Sequence, residues 1–372
     1  MKHPAFFFAI CLLILGCQVG SGDVSTAQPV TAVPLGVTGR SGVLADIPMK
    51  IGYGVSGSWF ELYFTDPTNP ARKQETGGPD VPLADSLDAA RVTIDMAAYN
   101  LNLKSVKASL LHAWQRGVKV RLVMETDNMD GTVPDALAAV GIPIVSDHLP
   151  GLMHDKFVVI DRAEVWTGSM NFSSSGTYHD NNSLMHVRSA KLAEDYEAEF
   201  DQMFVEHKFG QSLISETPHP SVTIDGTPLQ VYFSPADHVL SALLPLIDHA
   251  RSSIAFLAYS FTSDPLGSAI RQRAAAGVNV AGVMEADQVR TDVGTEYEAF
   301  RKAGLDVHLD GNPGLMHHKV IIVDGRIVIM GSYNFSASAE NNNDENLVVI
   351  NDPGIAAQYM KEFQRVYALA QP

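Results

Sequence analysis

Residues 151–161 read Gly-Leu-Met-His-Asp-Lys-Phe-Val-Val-Ile-Asp, and residues 314–324 read Gly-Leu-Met-His-His-Lys-Val-Ile-Ile-Val-Asp. Each stretch continues into Gly-Ser-x-Asn-Phe-Ser, at residues 168–173 and 331–336, so the two copies are offset by 163 residues throughout. Two long matched blocks in the same order indicate an internal duplication. The chain is therefore predicted to consist of two copies of one unit.

The two copies are predicted to cover residues 50–212 and 222–372, on either side of a proline-rich spacer. Within each copy, short apolar runs such as residues 92–97 and 254–258 predict buried strands, and stretches with helical spacing follow them. Strands that alternate with helices predict an α/β fold. Two related halves in one chain usually face each other about a pseudo-two-fold axis, as the subunits of a dimer do. A pocket between them would contain one copy of each motif.

Each motif places a histidine and a lysine two residues apart. In a strand, residues i and i+2 project to the same face, so His154 and Lys156 are predicted to point into one cleft, as His317 and Lys319 are. Two lysines supply cationic donors for the non-bridging oxygens of a phosphodiester. Histidine suits both nucleophilic attack and proton transfer, because its pKa lies near neutrality. Lysines compete with a bound cation, so neither a metal nor another cofactor is predicted.

The paired His-x-Lys-x₄-Asp motifs, each followed by Gly-Ser-x-Asn, resemble the signature of the phospholipase D superfamily. The resemblance covers nearly all of the chain after residue 49. It implies two tandem phospholipase D-like α/β/α repeats, packed as a pseudo-two-fold dimer with one active site at their interface. It also implies a phosphodiesterase that works through a phosphohistidine, with His154 as the nucleophile and His317 as the acid and base.

The resemblance further implies an acidic residue that hydrogen-bonds a catalytic histidine. Glu345, which lies 28 residues after His317, is the predicted partner of that histidine. The same offset from His154 leads to Asn182, with Asp180 close by, which departs from the pattern of the family. The departure leaves open which of the two histidines is better activated.

The remaining polar residues of the motifs receive separate predictions. Four short side chains are predicted to lie beside the histidines and to donate to the phosphate: Ser169, Asn171, Ser332 and Asn334. The motif aspartates Asp161 and Asp324 are predicted to hold strand ends and turns rather than to touch substrate. His318 should face away from His317 along the strand, and it is predicted to be a wall or surface residue.

The N-terminus has the pattern of an export signal. Residues 5–15 form an unbroken apolar run that is too short to span a bilayer. The run ends in Ile-Leu-Gly-Cys at Cys17, which resembles a bacterial lipobox. Residues 1–16 are therefore predicted to be a signal peptide, Cys17 the lipidated residue, and residues 17–49 a flexible tether. The protein would then be exported and lipid-anchored in the bacterial envelope, in the outer membrane or the periplasm.

The acidic composition bears on the choice of substrate. The 372 residues carry a formal net charge of −16, and an acidic surface repels nucleic acid. Hydrolysis of a phospholipid headgroup ester is favoured, with the lipid anchor holding a predicted monomer at the membrane. Three alternatives stay open: a metal-independent endonuclease, which the compact halves favour; a phosphatidyl transferase similar to cardiolipin synthase; and a binding lipoprotein without activity.

Overall fold

The computed structural model describes residue 39 and residues 41–371. The predicted signal peptide and the predicted lipidation site at Cys17 lie outside the described residues. Within the described part, no helix is long and apolar enough to cross a bilayer.

The strands of the described residues form two mixed sheets. The first sheet contains β1 (Ala45–Ile47), β2 (Tyr53–Ser56), β3 (Phe60–Phe64), β4 (Thr93–Ala98), β5 (Lys119–Met124), β6 (Ile144–Ser146), β7 (Lys156–Ile160), β8 (Glu164–Gly168) and β9 (Ser183–Arg188). The second sheet contains β10 (Ser221–Ile224), β11 (Thr227–Ser234), β12 (Ser253–Ala258), β13 (Asn279–Met284), β14 (Asp306–Leu309), β15 (Lys319–Val323), β16 (Ile327–Gly331) and β17 (Glu345–Asn351).

The helices alternate with these strands. In chain order they are α1 (Asp80–Ala89), α2 (Lys104–Gln115), α3 (Thr132–Ala139), α4 (Ala190–Phe204), α5 (Val239–Asp248), α6 (Asp264–Ala275), α7 (Ala286–Thr291), α8 (Tyr297–Lys302), α9 (Ala337–Asn341) and α10 (Pro353–Tyr367). Gly117 and Gly277 follow α2 and α6 with φ angles of 89° and 94°, a left-handed conformation that lets the chain turn directly into the next strand.

The two sheets repeat one topology. The strand order is β1-β2-β3-β9-β8-β7-β4-β5-β6 in the first sheet and β10-β11-β17-β16-β15-β12-β13-β14 in the second. Each sheet has two parallel strand pairs, β4–β5 and β5–β6 in the first and β12–β13 and β13–β14 in the second. The motif strand lies antiparallel beside β4 or β12. The central strands are buried on both faces, which explains their continuous Val and Ile runs. The predicted α/β fold with two related halves is confirmed.

One hydrophobic core is shared by both halves. Phe157 and Val159 of β7 belong to the same buried cluster as Val231 and Phe233 of β11. Helices α4 and α10 lie at this interface, because α4 packs against both β7 and β11 while α10 contributes Tyr359 to the same cluster. The motif strands therefore start at the boundary between the halves, so residues that precede them can meet across it.

The flexible tether was predicted to extend too far. Residues 45–47 form β1, which pairs antiparallel with β2, and the Gly39 N–H donates to the Asn351 carbonyl at 2.8 Å. The chain therefore contacts both halves before residue 49, and the tether prediction is wrong at its C-terminal end. Composition missed this strand because a short edge strand depends on its partner more than on its own residues.

The motif aspartates lie far from the histidines, at the opposite ends of β7 and β15. The Asp161 carboxylate accepts backbone N–H bonds at the start of β4, the shortest from Val92 at 2.7 Å. Asp324 does the same at the start of β12, where Ser252 N–H donates at 2.7 Å. Both aspartates thus tie the end of a motif strand to the start of its neighbour.

Candidate active site

The two motif histidines lie immediately before β7 and β15, in segments that pair across the halves. His154 N–H donates to the Asp344 carbonyl at 2.9 Å, just before β17 of the second half. His317 N–H donates to the Asn181 carbonyl at 3.0 Å, just before β9 of the first half. Each histidine is therefore held beside the residues that open the last strand of the opposite half.

This exchange decides which side chain supports each histidine. His154 Nδ1 lies 2.7 Å from Glu345 Oε2, and His317 Nδ1 lies 2.9 Å from Asn182 Oδ1. The prediction that Glu345 supports His317 is wrong, as is the assignment of Asn182 to His154. Counting residues from a histidine leads to the last strand of the same half. The side chain near the start of that strand, however, bonds to the histidine of the opposite half, so the count could not identify the partner.

The tautomer of His317 follows from the bonds of Asn182. The Asn182 amide nitrogen donates to the Gly176 carbonyl at 2.8 Å, and its oxygen accepts from Ser169 Oγ at 2.9 Å. The oxygen is thus the atom that faces His317, so His317 Nδ1 must carry the proton and donate it. Nε2 is left as the nitrogen available for chemistry.

The serines of the Gly-Ser-x-Asn segments lie behind the histidine partners. Ser169 and Ser332 are both fully buried. Ser169 donates to Asn182, while Ser332 hydrogen-bonds Glu345 and accepts from the Asn346 N–H at 3.0 Å. Their contacts hold the two acceptors in place, and a contact with phosphate stays a prediction.

The asparagines of the same segments, Asn171 and Asn334, are half-buried in equivalent positions of the two halves. Among the described residues, neither side-chain oxygen has a hydrogen-bond partner although both atoms are buried. Their predicted contact with phosphate likewise stays a prediction.

The two lysines are buried and poorly compensated. Lys156 Nζ donates to the His154 carbonyl at 2.5 Å, and Lys319 Nζ donates to the His317 carbonyl at 2.9 Å. Burial lowers the pKa of Lys156 to about 7, although Glu345 opposes the shift. Burial, together with the charge of Lys156, lowers the pKa of Lys319 well below its ordinary value. A bound phosphate anion would supply the missing countercharge.

Tyr99 and Tyr259 form part of the same wall. Tyr99 packs edge-on against the His154 ring at 4.8 Å and lies 4.9 Å from Lys156 Nζ. Tyr259 takes the same position against His317, at 4.6 Å, and against Lys319, at 4.5 Å. Both tyrosines are half-buried, so they line the site rather than fill the core. Their equivalent positions in the two copies of the repeat are the feature of the sequence that could have identified them as residues of the site.

Sequence reasoning missed two glutamates that shape the approach to the histidines. Glu125 Oε2 accepts the Met153 N–H at 2.8 Å, and Glu285 Oε2 accepts the Met316 N–H at 2.5 Å. Burial raises the pKa of both carboxyl groups, that of Glu285 to about 7. The pairs Met-Glu at residues 124–125 and 284–285 recur in the repeat, which was the signal for them.

The prediction for His318 is also wrong. Its side chain is fully buried, and Nε2 lies 2.9 Å from Glu362 Oε1 on α10. The equivalent residue of the first half, Asp155, is fully buried too and accepts from Asn346 Nδ2 at 2.6 Å. The face of the strand opposite the active site is covered by a helix, which a strand pattern alone does not reveal.

The four motif side chains form a single electrostatic centre. Burial, followed by the charges of Lys156 and Lys319, lowers the pKa of His154 well below its ordinary value. Burial lowers the pKa of His317 in the same way, with Lys319, Lys156 and then His154 as further causes. The structure thus brings together all five residues predicted to be catalytic. Among the described residues, no cluster of three His, Cys, Asp or Glu side chains is arranged to hold a metal.

Comparison with known proteins agrees with the duplication of the chain. The family model described as "Cardiolipin synthase, PLD-like domain" matches residues 83–204 and 243–367, once in each half. The solved phosphatidylserine synthase of Haemophilus influenzae Rd KW20 superposes with a TM-score of 0.60 at 13% identity, over 78% of this chain and 84% of that one. At that identity, the likeness is one of fold alone.

Two curated relatives are similar in sequence. The chain is 35% identical over 136 residues to the mitochondrial cardiolipin hydrolase of Homo sapiens, which covers 37% of this chain and 54% of the human protein. It is 31% identical over 159 residues to the phospholipase D of Rickettsia bellii (strain RML369-C), which covers 41% of this chain and 79% of that protein. The match thus spans about half the length of the human relative.

Proposed function

We propose that this chain, which belongs to the phospholipase D superfamily, hydrolyses a phospholipid headgroup ester through a phosphohistidine. The observation that carries the proposal is the unequal support of two histidines in one centre. A carboxylate lies at Nδ1 of His154, whereas a neutral amide lies at Nδ1 of His317. A histidine that attacks phosphorus becomes positively charged and needs a carboxylate to stabilise the charge, whereas a histidine that protonates a leaving group must give up its proton readily. The two different partners fit these two roles.

In the first step, His154 Nε2 attacks phosphorus and the bond to the headgroup oxygen breaks. His317 enters this step as the imidazolium, with a proton on each ring nitrogen, because the negative charge of the bound phosphodiester favours that form. Its Nε2 gives its proton to the headgroup oxygen. A phosphorylated imidazole that keeps its Nδ1 proton carries a positive charge, and Glu345 accepts that proton's hydrogen bond and stabilises the charge. The amide of Asn182 stabilises a charged His317 less, which makes its imidazolium a better proton donor.

In the second step, water attacks the phosphorus and His317 Nε2 takes its proton. The bond from phosphorus to His154 breaks, and phosphatidic acid leaves. Lys156 and Lys319 would bind the non-bridging oxygens in both steps, where negative charge develops. An alcohol in place of water would give transfer rather than hydrolysis, and the match to a family described as cardiolipin synthase supports this alternative.

The substrate panel is the direct test. The purified protein is offered labelled phosphatidylcholine, phosphatidylglycerol, cardiolipin and DNA, each with and without EDTA. We expect release of phosphatidic acid and free headgroup from at least one lipid, with equal rates in EDTA because the proposed centre uses no metal. DNA nicking without lipid turnover would instead identify a nuclease, and loss of lipid turnover in EDTA would contradict the mechanism. Lipid anchoring at Cys17, which would keep the enzyme at its substrate, remains part of the proposal.

The pH dependence of kcat/KM should be a narrow bell centred near neutrality. Burial raises the pKa of Glu345 to about 7, so its carboxylate is lost as the pH falls below that value. The Lys156 ammonium is lost as the pH rises above its lowered pKa of about 7. In Glu345→Gln, which gives both histidines an amide partner, we expect the acid limb to disappear and kcat to fall at least about 100-fold.

The matched control for this profile is Glu298→Gln, which removes an exposed carboxylate from α8. It should keep both limbs of the bell. An acid limb that survives in Glu345→Gln would show that another group sets it, and the role given to Glu345 would be wrong.

A further inference from the structure

A cavity of about 620 Å³ opens at the boundary between the halves, beside the segment that leads to His154. It is lined by residues 149–151, by residues 209–212 of the connection between the halves, and by Ser338, Asn342 and Asn343. We call this space the linker cavity. Its volume falls in the range typical of small-molecule sites.

The linker cavity shares a wall with the catalytic centre. Asn343 Nδ2 donates to Glu345 Oε1 at 3.3 Å, and Glu345 in turn hydrogen-bonds His154. Asn343 Oδ1 accepts the Leu152 N–H at 3.2 Å, two residues before that histidine. One side chain of the cavity lining thus touches both the histidine partner and the approach to the motif.

No residue of this lining carries a charge, although the chain as a whole is strongly acidic. Leu149, Pro150 and Phe209 contribute apolar surface, while the serines and amides contribute neutral hydrogen-bonding groups. A nucleic-acid strand needs cationic side chains for its flanking phosphates, and this lining offers none. An uncharged group with both apolar and ester parts fits it better.

The opposite flank of the pseudo-two-fold axis has a different character. Gly151 packs against the Asn342 carbonyl, and Gly314 packs against the His179 carbonyl in the equivalent position. His179 is held between Arg72, at 3.0 Å, and Glu75, at 3.1 Å. Charged side chains of the first half therefore cover the flank of His317, and Arg72 and Glu75 lie in a loop that the second half lacks.

A phosphodiester also has two unlike arms. In the proposed reaction the headgroup leaves toward His317, on the charged flank, while the other arm stays on the phosphorus attached to His154. The neutral linker cavity lies on the flank of His154. A second cavity of about 300 Å³ shares Gln211 with it, but Glu340 and His238 also line that cavity, so the uncharged lining is confined to the linker cavity itself.

We infer that the linker cavity binds the acylglycerol arm that stays on the phosphorus while the headgroup leaves. This inference rests on the proposed function, and it names the substrate class as a glycerophospholipid. Recognition comes from apolar contact with Leu149 and Phe209 and from neutral hydrogen bonds, so the cavity selects against a second charged phosphate on the same arm.

The test compares two ligands that share the phosphate and differ in acyl chains. Binding of monomeric dihexanoyl phosphatidic acid and of glycerol 3-phosphate is measured by calorimetry on the full chain. We expect the wild-type protein to prefer the acylated ligand. Two variants should reduce that preference by about tenfold: Ser338→Trp, which fills the cavity from an exposed helical position, and Leu149→Asn, which installs the residue that the second half has in its place, Asn312.

The matched control is Val140→Asn. Val140 at the end of α3 is 47% exposed, and Leu149 is 46% exposed, so an aliphatic residue is replaced by asparagine at similar exposure away from the site. The control should keep the wild-type preference. An unaltered preference in both cavity variants, or a wild-type protein that binds both ligands equally, would overturn the assignment. Lipid hydrolysis in the substrate panel would then still stand, whereas absence of any diester cleavage would remove the proposed function itself.

Discussion

Replacing His317 with asparagine is expected to stop the reaction after one leaving group has departed. With bis(4-nitrophenyl) phosphate, whose leaving group needs no proton donor, His154 should still attack and release one nitrophenolate per protein molecule. The phosphoryl group should then stay on His154, because no base remains to activate water. We expect kcat to fall about 10⁴-fold, and the trapped phosphate to be labile in acid and stable in base.

The reciprocal variant, His154→Asn, should show neither the burst nor the trapped phosphate. His249→Asn serves as the control, since His249 is exposed at the end of α5 and bonds only its own helix among the described residues, through the Pro245 carbonyl. A phosphate trapped in His154→Asn but absent from His317→Asn would reverse the two roles. Full turnover in a double His154→Asn and His317→Asn variant would contradict the proposed centre altogether.

Replacing either motif lysine with methionine should cost about 100- to 1,000-fold in kcat/KM, because each removes a cationic donor from the developing charge on phosphate. The same change should leave the protein at least as stable as the wild type. Lys156 and Lys319 are 0% and 1% exposed, and their lowered pKa values reflect the free energy that burial of the charge costs. An apolar side chain of similar length avoids that cost.

Thermal denaturation and steady-state kinetics on Lys156→Met and Lys319→Met measure both effects, with Lys191→Met on the surface of α4 as the control. Loss of activity together with a large loss of stability would mean that the lysines hold the fold. Retained activity with unchanged KM would mean that they do not bind the phosphate.

The two effects have a common physical origin. A buried ammonium whose charge is only partly compensated destabilises the folded protein, and the same deficit of negative charge attracts a phosphate. Glu345 is the buried acid that compensates both lysines, and it also serves His154. The Glu345 carboxylate thus affects the charges of both lysines and of His154. Replacing it should therefore change the pH profile as well as the rate.

The sequence alone determined the duplication, the α/β class and the five residues of the centre. These predictions depend on local pattern, since apolar runs, helical spacing and two-residue alternation are properties of the chain itself. The helical spacing of residues 105–116 corresponds to α2 (Lys104–Gln115), and that of residues 355–369 corresponds to α10 (Pro353–Tyr367). The second begins earlier because Asp352 caps it, accepting the N–H groups of Gly354 and Ile355.

The tertiary structure alone decided how those residues are paired. Glu345 hydrogen-bonds His154 and Asn182 hydrogen-bonds His317 because each motif segment pairs with the opposite half. Residue spacing within one half gives no information about this pairing. The burial of His318 against Glu362 depends in the same way on packing between distant segments. A repeated sequence specifies two similar halves. The difference between their histidines, a carboxylate partner for one and an amide partner for the other, arises only from contacts where the halves meet.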